Sequence, residues 1–104
     1  KDVFICDWHY ERADHTAVMF AMKGFNVATS PWRNPKVTAQ QVENMILYRQ
    51  TSTKAMANRF QGIIATVWSG AESFLKNYYN PATDSLQLSD AKTLKLLIND
   101  FKNR

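Results

Sequence analysis

Residues 62–68 read GIIATVW, an apolar and β-branched run of strand length that ends at a tryptophan. Such a run is typical of a strand in a parallel sheet, and we predict a strand over residues 62–67. Residues 3–8, VFICDW, and residues 25–29, FNVAT, predict two more strands. The first of these is a continuous apolar run, so we expect it to be buried on both faces, with Cys6 as a buried thiol.

The segments between and after these strands predict helices. Apolar residues at helical spacing favour helices over residues 13–23, from about 38 to 58, and over 71–78. Gly24 is placed as the C-cap of the first, and Thr38 with Gln41 as a capping box of the second. The two prolines of residues 30–35 predict a loop there. The alternation of strands and helices predicts an α/β fold with parallel strands joined by crossovers.

The last segments of the chain also carry helix signals. Ser69 and Glu72 form a capping-box pair for the helix over residues 71–78, which Asn80-Pro81 is expected to end. Ser89 is predicted to cap a final helix, whose apolar residues recur at i, i+3, i+4 and i+7: Leu94, Leu97, Ile98 and Phe101. The sequence therefore predicts three βα units followed by a C-terminal helix.

Composition limits the class of protein. The 104 residues are 45% hydrophobic and carry 13 Lys+Arg against 9 Asp+Glu, which favours one folded domain over residues 1–104 and excludes a disordered chain. The basic residues are dispersed, so we expect no nucleic-acid partner, and no run is long enough to predict a membrane span. The single cysteine excludes a disulfide framework, and three scattered glycines exclude a phosphate-binding loop.

A tryptophan follows each predicted strand: Trp8, Trp32 and Trp68. Because the carboxyl ends of parallel strands lie on the same edge of a sheet, we expect the three indoles to meet there. Indole faces beside hydrogen-bonding side chains suit a sugar, whose C–H face is apolar and whose hydroxyls need polar partners. The alternative is that Trp8 and Trp68 only fill the top of the core.

Four polar residues near these tryptophans are candidate ligand contacts: Asp7, His9, Tyr10 and Glu72. Asp7 is a candidate general acid or hydrogen-bond acceptor, or else caps the next turn. Glu72 either binds a hydroxyl or serves only its capping box. His15 is expected on the surface. The spacing of Asp7, His9 and Glu11 does not make a convincing metal site, and we expect neither metal nor cofactor.

The motifs DWHYE at 7–11, GFNVATSPW at 24–32 and GIIATVWSGAE at 62–72 resemble the last three βα units of a TIM-barrel glycoside hydrolase. They are most similar to family 20 β-N-acetylhexosaminidases. The resemblance implies that Trp32 and Trp68 line the pocket of the terminal sugar and that Glu72 contacts its hydroxyls. That family usually has its tryptophan and glutamate two residues apart, whereas Trp68 and Glu72 are four apart.

The resemblance also implies that the chain is a C-terminal piece of a larger catalytic domain. A TIM barrel has eight strands and about 250 residues, so three βα units give a partial barrel with an open sheet. Nothing here matches the family's catalytic Asp-Glu pair, so the catalytic residues are unknown and whether this chain is an enzyme is undecided. We expect the isolated piece to form a homo-oligomer, and the family implies a periplasmic or extracellular location. The alternative is a stand-alone α/β binding domain without catalysis.

Overall fold

The computed structural model describes residues 2–68, 70–79 and 89–104 and has the predicted α/β fold. Three parallel strands form an open sheet in the order β1-β2-β3 and alternate with helices, and a helix follows at the C-terminus. The elements are β1 (Phe4–Asp7), α1 (Thr16–Met22), β2 (Asn26–Thr29), α2 (Pro35–Thr51), α3 (Lys54–Ala57), β3 (Phe60–Ile63), α4 (Ala71–Tyr79) and α5 (Asp90–Lys102).

The strand pairing continues past the end of β3. Thr29 pairs with Asp7 on one side and with Ile63 on the other. Beyond β3, the Ile64 N–H donates to the Thr29 carbonyl at 2.9 Å and the Thr66 N–H donates to the Pro31 carbonyl at 3.0 Å. The chain therefore keeps running beside the segment after β2, which brings the residues that follow the two strands to the same edge of the sheet.

One β-bulge interrupts the pairing of β2 with β3. Val27 lies opposite Phe60, but its neighbour Ala28 lies opposite Gly62, so β3 carries one extra residue. Gly62 has φ +130, a backbone conformation that residues with a Cβ rarely adopt. Without a bulge, Phe60 and Ile63 would point to opposite faces of the sheet because they are three positions apart. The extra residue shifts the alternation by one, so that both side chains pack toward the core. A Cβ added at Gly62 would meet nothing within 4 Å. The glycine is therefore required by its backbone conformation and not by a lack of space.

The core lies between one face of the sheet and the first two helices. Val27 of β2 and Phe60 of β3 are fully buried and pack with side chains of α1 and α2, namely Ala17, Ala21, Met45 and Tyr48. Tyr48 lies against the Phe60 ring with a centroid separation of 5.0 Å. This packing fixes α1 and α2 on the same side of the sheet.

The prediction that the first strand is buried on both faces is wrong. Phe4 is 46% exposed and Cys6 is exposed, so Cys6 is not a buried thiol. Strand alternation puts Ile5 on the face that α1 and α2 cover and puts Phe4 and Cys6 on the opposite face. The apolar run therefore carries residues toward both faces, although only one of them is packed by these helices.

The predicted helix from about 38 to 58 begins earlier than expected and is divided in two. Asn34 is the N-cap of α2 and accepts a hydrogen bond from the Val37 N–H at 3.2 Å. Pro35 is the first residue of the helix, where its missing N–H costs nothing because first-turn amides have no helical partner. Thr38 is thus not a cap: it is buried inside the helix, and its hydroxyl donates to the Trp32 carbonyl at 3.2 Å.

The remaining helix boundaries are closer to the predictions. Thr53 caps the short α3, and β3 runs from Phe60 to Ile63, so it begins two residues before the predicted strand over 62–67 and ends four residues before its predicted end. Helix α1 is shorter than predicted, and Gly24 follows it with φ 94, as expected for a helix C-terminus. Ser89 caps α5 as predicted, accepting from the Lys92 N–H at 3.3 Å. Ser69 and the predicted helix end at residues 80–81 lie outside the described residues.

Candidate functional site

The three tryptophans lie together beyond the carboxyl ends of the strands, as the parallel order predicts. The rings of Trp8 and Trp68 are 5.8 Å apart between centroids, with their planes at 77°. Tyr10 joins this pair to Trp32: its ring lies 5.4 Å from the Trp32 ring, and its hydroxyl accepts a 2.7 Å hydrogen bond from Trp68 Nε1. We call Trp8, Tyr10, Trp32 and Trp68 the aromatic rim.

Two members of the aromatic rim are open to solvent. Trp8 is 58% exposed and Trp68 is 57% exposed, although both are large apolar side chains. Because their planes are almost perpendicular, the two rings make an edge-to-face contact, and each leaves more than half of its side chain open to solvent. We call this pair the indole corner. At these exposures neither indole is buried in the core that the described residues form.

Trp32 has a different position within the aromatic rim. It is half-buried, and the guanidinium of Arg33 lies 4.3 Å from the centroid of its ring, a cation–π contact. Its carbonyl is held by the hydroxyl of Thr38 in α2. Arg33 and Tyr10 therefore cover much of the Trp32 ring. Trp32 thus stabilises the aromatic rim and leaves little open ring face for a ligand.

Asp7 lies at the end of β1, and its carboxylate is already engaged. It is only 6% exposed. One of its oxygens accepts a 2.6 Å hydrogen bond from the Thr16 hydroxyl, and the other lies 3.1 Å from His9 Nε2. The side chain of His9 is partly exposed, and its carbonyl accepts a 2.7 Å hydrogen bond from Gln41 Nε2. Asp7 thus orients His9, and His9 is the member of the pair that reaches solvent.

Glu72 is exposed in the first turn of α4, where a carboxylate interacts favourably with the helix dipole. Its proposed capping partner, Ser69, lies outside the described residues. Among the described residues, no hydrogen bond or ion pair joins Glu72 to the aromatic rim. The structure therefore joins Trp8, Tyr10, Trp32 and Trp68 in one group of contacts and Asp7 with His9 in another, and among the described residues Glu72 makes no hydrogen bond or ion pair with either group.

A polar contact beneath this site was not expected from the sequence. His15 is exposed as predicted, yet its Nδ1 hydrogen-bonds the hydroxyl of Tyr48, which belongs to α2. Burial of the Tyr48 phenol, and secondly the negative charge of Asp7, raise the pKa of Tyr48 above its ordinary value. No local pattern could have revealed this contact, because His15 stands at the N-cap position of α1, Tyr48 lies in α2, and 33 positions separate them in the sequence.

The arrangement can stack an apolar ligand face on the indole corner and hydrogen-bond a polar group beside it through the hydroxyl of Tyr10, which already meets Trp68. Within residues 2–68, 70–79 and 89–104, His, Cys, Asp and Glu side chains form no cluster of three or more suited to a metal ion. Of the helices that the structure describes, none combines the length and apolarity needed to cross a bilayer.

No protein-family model matches the sequence, and no curated protein matches it.

Proposed function

We propose that the aromatic rim binds carbohydrate, with one pyranose ring packed into the indole corner. The single observation that carries this proposal is the pair Trp8 and Trp68, which are more than half exposed and nearly perpendicular at 5.8 Å. Exposing two indoles to water is unfavourable at about 25 cal/mol per Å² of apolar surface, and a ligand face that covers them recovers that energy.

A sugar suits this corner better than a purely apolar ligand does. The C–H face of a pyranose buries apolar surface against an indole, whereas its hydroxyls require hydrogen-bonding partners at the edge of the stacked face. The hydroxyl of Tyr10, which meets Trp68, is such a partner, and His9, oriented by Asp7 after the end of β1, is proposed as a second. An apolar ligand would offer no acceptor for the proton of the Tyr10 hydroxyl.

We further propose that the chain forms the aromatic part of the sugar pocket in a TIM-barrel glycoside hydrolase acting on hexosaminides or N-acetylhexosaminides. The motif resemblance and the parallel order of the three strands support this assignment. In such a barrel α1 and α2 lie outside, and the face bearing Phe4 and Cys6 lies toward the barrel interior, which accounts for apolar side chains on that exposed face. The catalytic carboxylates come from earlier strands of the barrel.

A fluorescence titration tests the binding proposal. Purified protein is titrated with methyl glycosides of glucose, galactose, mannose, glucosamine and N-acetylglucosamine while tryptophan emission is recorded. We expect at least one hexopyranoside, with an amino sugar the leading candidate, to change the emission saturably. The Trp68→Ala variant should lose this response, because one side of the indole corner is removed.

Tyr79→Ala is the matched control, because Tyr79 is an exposed aromatic residue of α4 outside the aromatic rim. It should bind the same sugar as the unaltered protein does. A protein that is folded by circular dichroism and responds to none of the glycosides would overturn the proposal and favour the stand-alone α/β binding domain. Equal loss of binding in Tyr79→Ala and Trp68→Ala would also count against a site at the indole corner.

A further inference from the structure

The hydrogen bond between Trp68 and Tyr10 fixes which of the two side chains donates. The Nε1 of Trp68 lies 2.7 Å from the Tyr10 hydroxyl oxygen. An indole N–H has a proton to give and no lone pair with which to accept, whereas a phenol hydroxyl can do both. Tyr10 is therefore the acceptor in this pair, and its own proton cannot point at Trp68.

The direction of the Tyr10 ring is fixed as well. Its ring makes an edge contact with Trp32 at 5.4 Å, and Trp32 is held in turn by Arg33 on its face and by Thr38 at its carbonyl. Trp68, which donates its indole N–H to Tyr10, is itself one side of the indole corner. The Tyr10 proton therefore points away from Trp68 and lies next to the indole ring on which a ligand would stack.

We infer that the Tyr10 hydroxyl is the hydrogen-bond donor that selects the ligand, which must present an oxygen acceptor beside the face that stacks on Trp68. The inference rests on the proposed function and makes it more specific. For a neutral hexopyranose, the acceptor is a hydroxyl or ring oxygen at the edge of the stacked face. A sugar that lacks oxygen at that position should still stack but should bind more weakly.

Analogues of one sugar separate a donating Tyr10 from an accepting one. Replacing a sugar hydroxyl by hydrogen removes both its donor and its acceptor, whereas replacing it by fluorine removes the donor and leaves a weak acceptor. If Tyr10 donates, the fluoro sugar at the contacted position should bind more tightly than the deoxy sugar does. If Tyr10 accepts instead, the two analogues should be equally weak.

The experiment uses whichever methyl glycoside binds the unaltered protein, with its deoxy and fluoro analogues at each ring position. Dissociation constants are measured by calorimetry for the unaltered protein, Tyr10→Phe and Trp68→Phe. Tyr10→Phe removes the acceptor of Trp68 as well as the proposed donor, so it should weaken every analogue somewhat; we expect it to weaken the parent sugar about tenfold more than the deoxy analogue at the contacted position, the effect of one hydrogen bond. Trp68→Phe should weaken the parent and every analogue alike, because it reduces the stacked face.

The outcomes separate this inference from the proposed function. If Tyr10→Phe binds the parent sugar as tightly as the unaltered protein does, while Trp68→Phe binds it more weakly, the donor role is wrong and the sugar site stands. Equal affinity of the fluoro and deoxy analogues at every position also overturns the donor role. An unaltered protein that binds no glycoside overturns the proposed function and this inference together. Thermal melting of both variants checks that each is folded.

Discussion

The indole rings of Trp8 and Trp68 meet at 5.8 Å although their backbones leave the sheet from its two outer strands, β1 and β3. Neighbouring strands in a sheet are about 4.8 Å apart, so these outer strands are separated by about 10 Å, and β2 lies between them. Two indole side chains are long enough to close that distance above the end of β2. Shorter side chains at these two positions would leave a gap.

This contact makes the stabilities of the two positions depend on each other. We expect a double-mutant cycle of Trp8→Ala, Trp68→Ala and the double variant to give a coupling energy of about 0.5–1 kcal/mol in the free energy of unfolding. Urea denaturation followed by circular dichroism measures it. Additive effects of the two substitutions would mean that the rings do not stabilise each other in solution.

Asp7 provides a second prediction, because its carboxylate is buried with both oxygens engaged. Thr16→Val removes the hydroxyl that donates to it and leaves a buried carboxylate oxygen without that partner. We expect a loss of about 1–3 kcal/mol in the free energy of unfolding. Urea denaturation measures this as well, with sugar binding as a second readout of whether His9 keeps its orientation.

Asp14→Asn is the control for this substitution. Asp14 is an exposed carboxylate whose ion pair with Arg12 spans 3.3 Å at the surface. Pairs of this kind contribute between about 0 and 1 kcal/mol, so the free energy of unfolding should scarcely change. Equal losses of unfolding free energy in Thr16→Val and Asp14→Asn would contradict the conclusion that the buried Asp7 carboxylate depends on its hydrogen bond from Thr16.

Tyr48 gives a pH dependence with a defined sign. Burial, and then the charge of Asp7, raise its pKa in the folded protein above the ordinary value of about 10. The folded state therefore holds this proton more tightly than the unfolded state does. Its contribution to stability is complete below the unfolded pKa and is lost as the pH rises through the folded pKa.

Spectrophotometric titration of tyrosinate should accordingly show one of the four tyrosines ionising late. Tyr48→Phe should remove that late component, and Tyr79→Phe, at an exposed position, should leave it in place. Four tyrosines that titrate together in the folded protein would show that the Tyr48 phenol is not shielded from water.

The sequence predicted the parallel order and the meeting of the tryptophans because both follow from the position of residues relative to strands. It did not predict which face of β1 is covered, since VFIC supplies apolar side chains to both faces whether or not a helix packs there. The start of α2 was misplaced because Pro35 was interpreted as ending regular structure, although proline is favoured at the first position of a helix.

The contacts that define the site in detail depended on tertiary structure. Nothing in the local sequence around Asp7 indicates that Thr16 and His9 take up both carboxylate oxygens. The bond from Trp68 to Tyr10 joins residues 58 positions apart, and the contact of His15 with Tyr48 depends on the packing of α1 beside α2. Spacing identifies which residues approach the same edge, but it does not specify which atoms meet.

The proposed partial barrel predicts self-association of the isolated chain. A groove of about 470 Å³ between β3 and α5 is lined by apolar side chains, among them Ile63, Leu97 and Phe101, and Phe101 is 54% exposed. Among the described residues, the outer edge of β3 pairs with no other strand. We expect a second copy of the chain to cover this surface, because exposed strand edges and apolar grooves favour association.

Sedimentation velocity measures the assembly. The unaltered protein should sediment as a dimer or larger species, and Phe101→Glu should shift it toward monomer by placing a charge in the groove. Met22→Glu, at an exposed apolar position of α1, is the matched control and should not change the assembly. A monomer at high protein concentration would contradict the expected oligomer while leaving the sugar site untouched.

A nitrogen–proton correlation spectrum of the three tryptophan indole groups, recorded during titration with the amino sugar glycoside, shows whether a sugar binds at the indole corner. We expect the Trp8 and Trp68 resonances, assigned with Trp8→Phe and Trp68→Phe, to shift along one saturable curve. The Trp32 resonance should shift less, because Arg33 covers its ring. Three indole signals that stay in place with every glycoside, at concentrations of tens of millimolar, would contradict a sugar site at the indole corner.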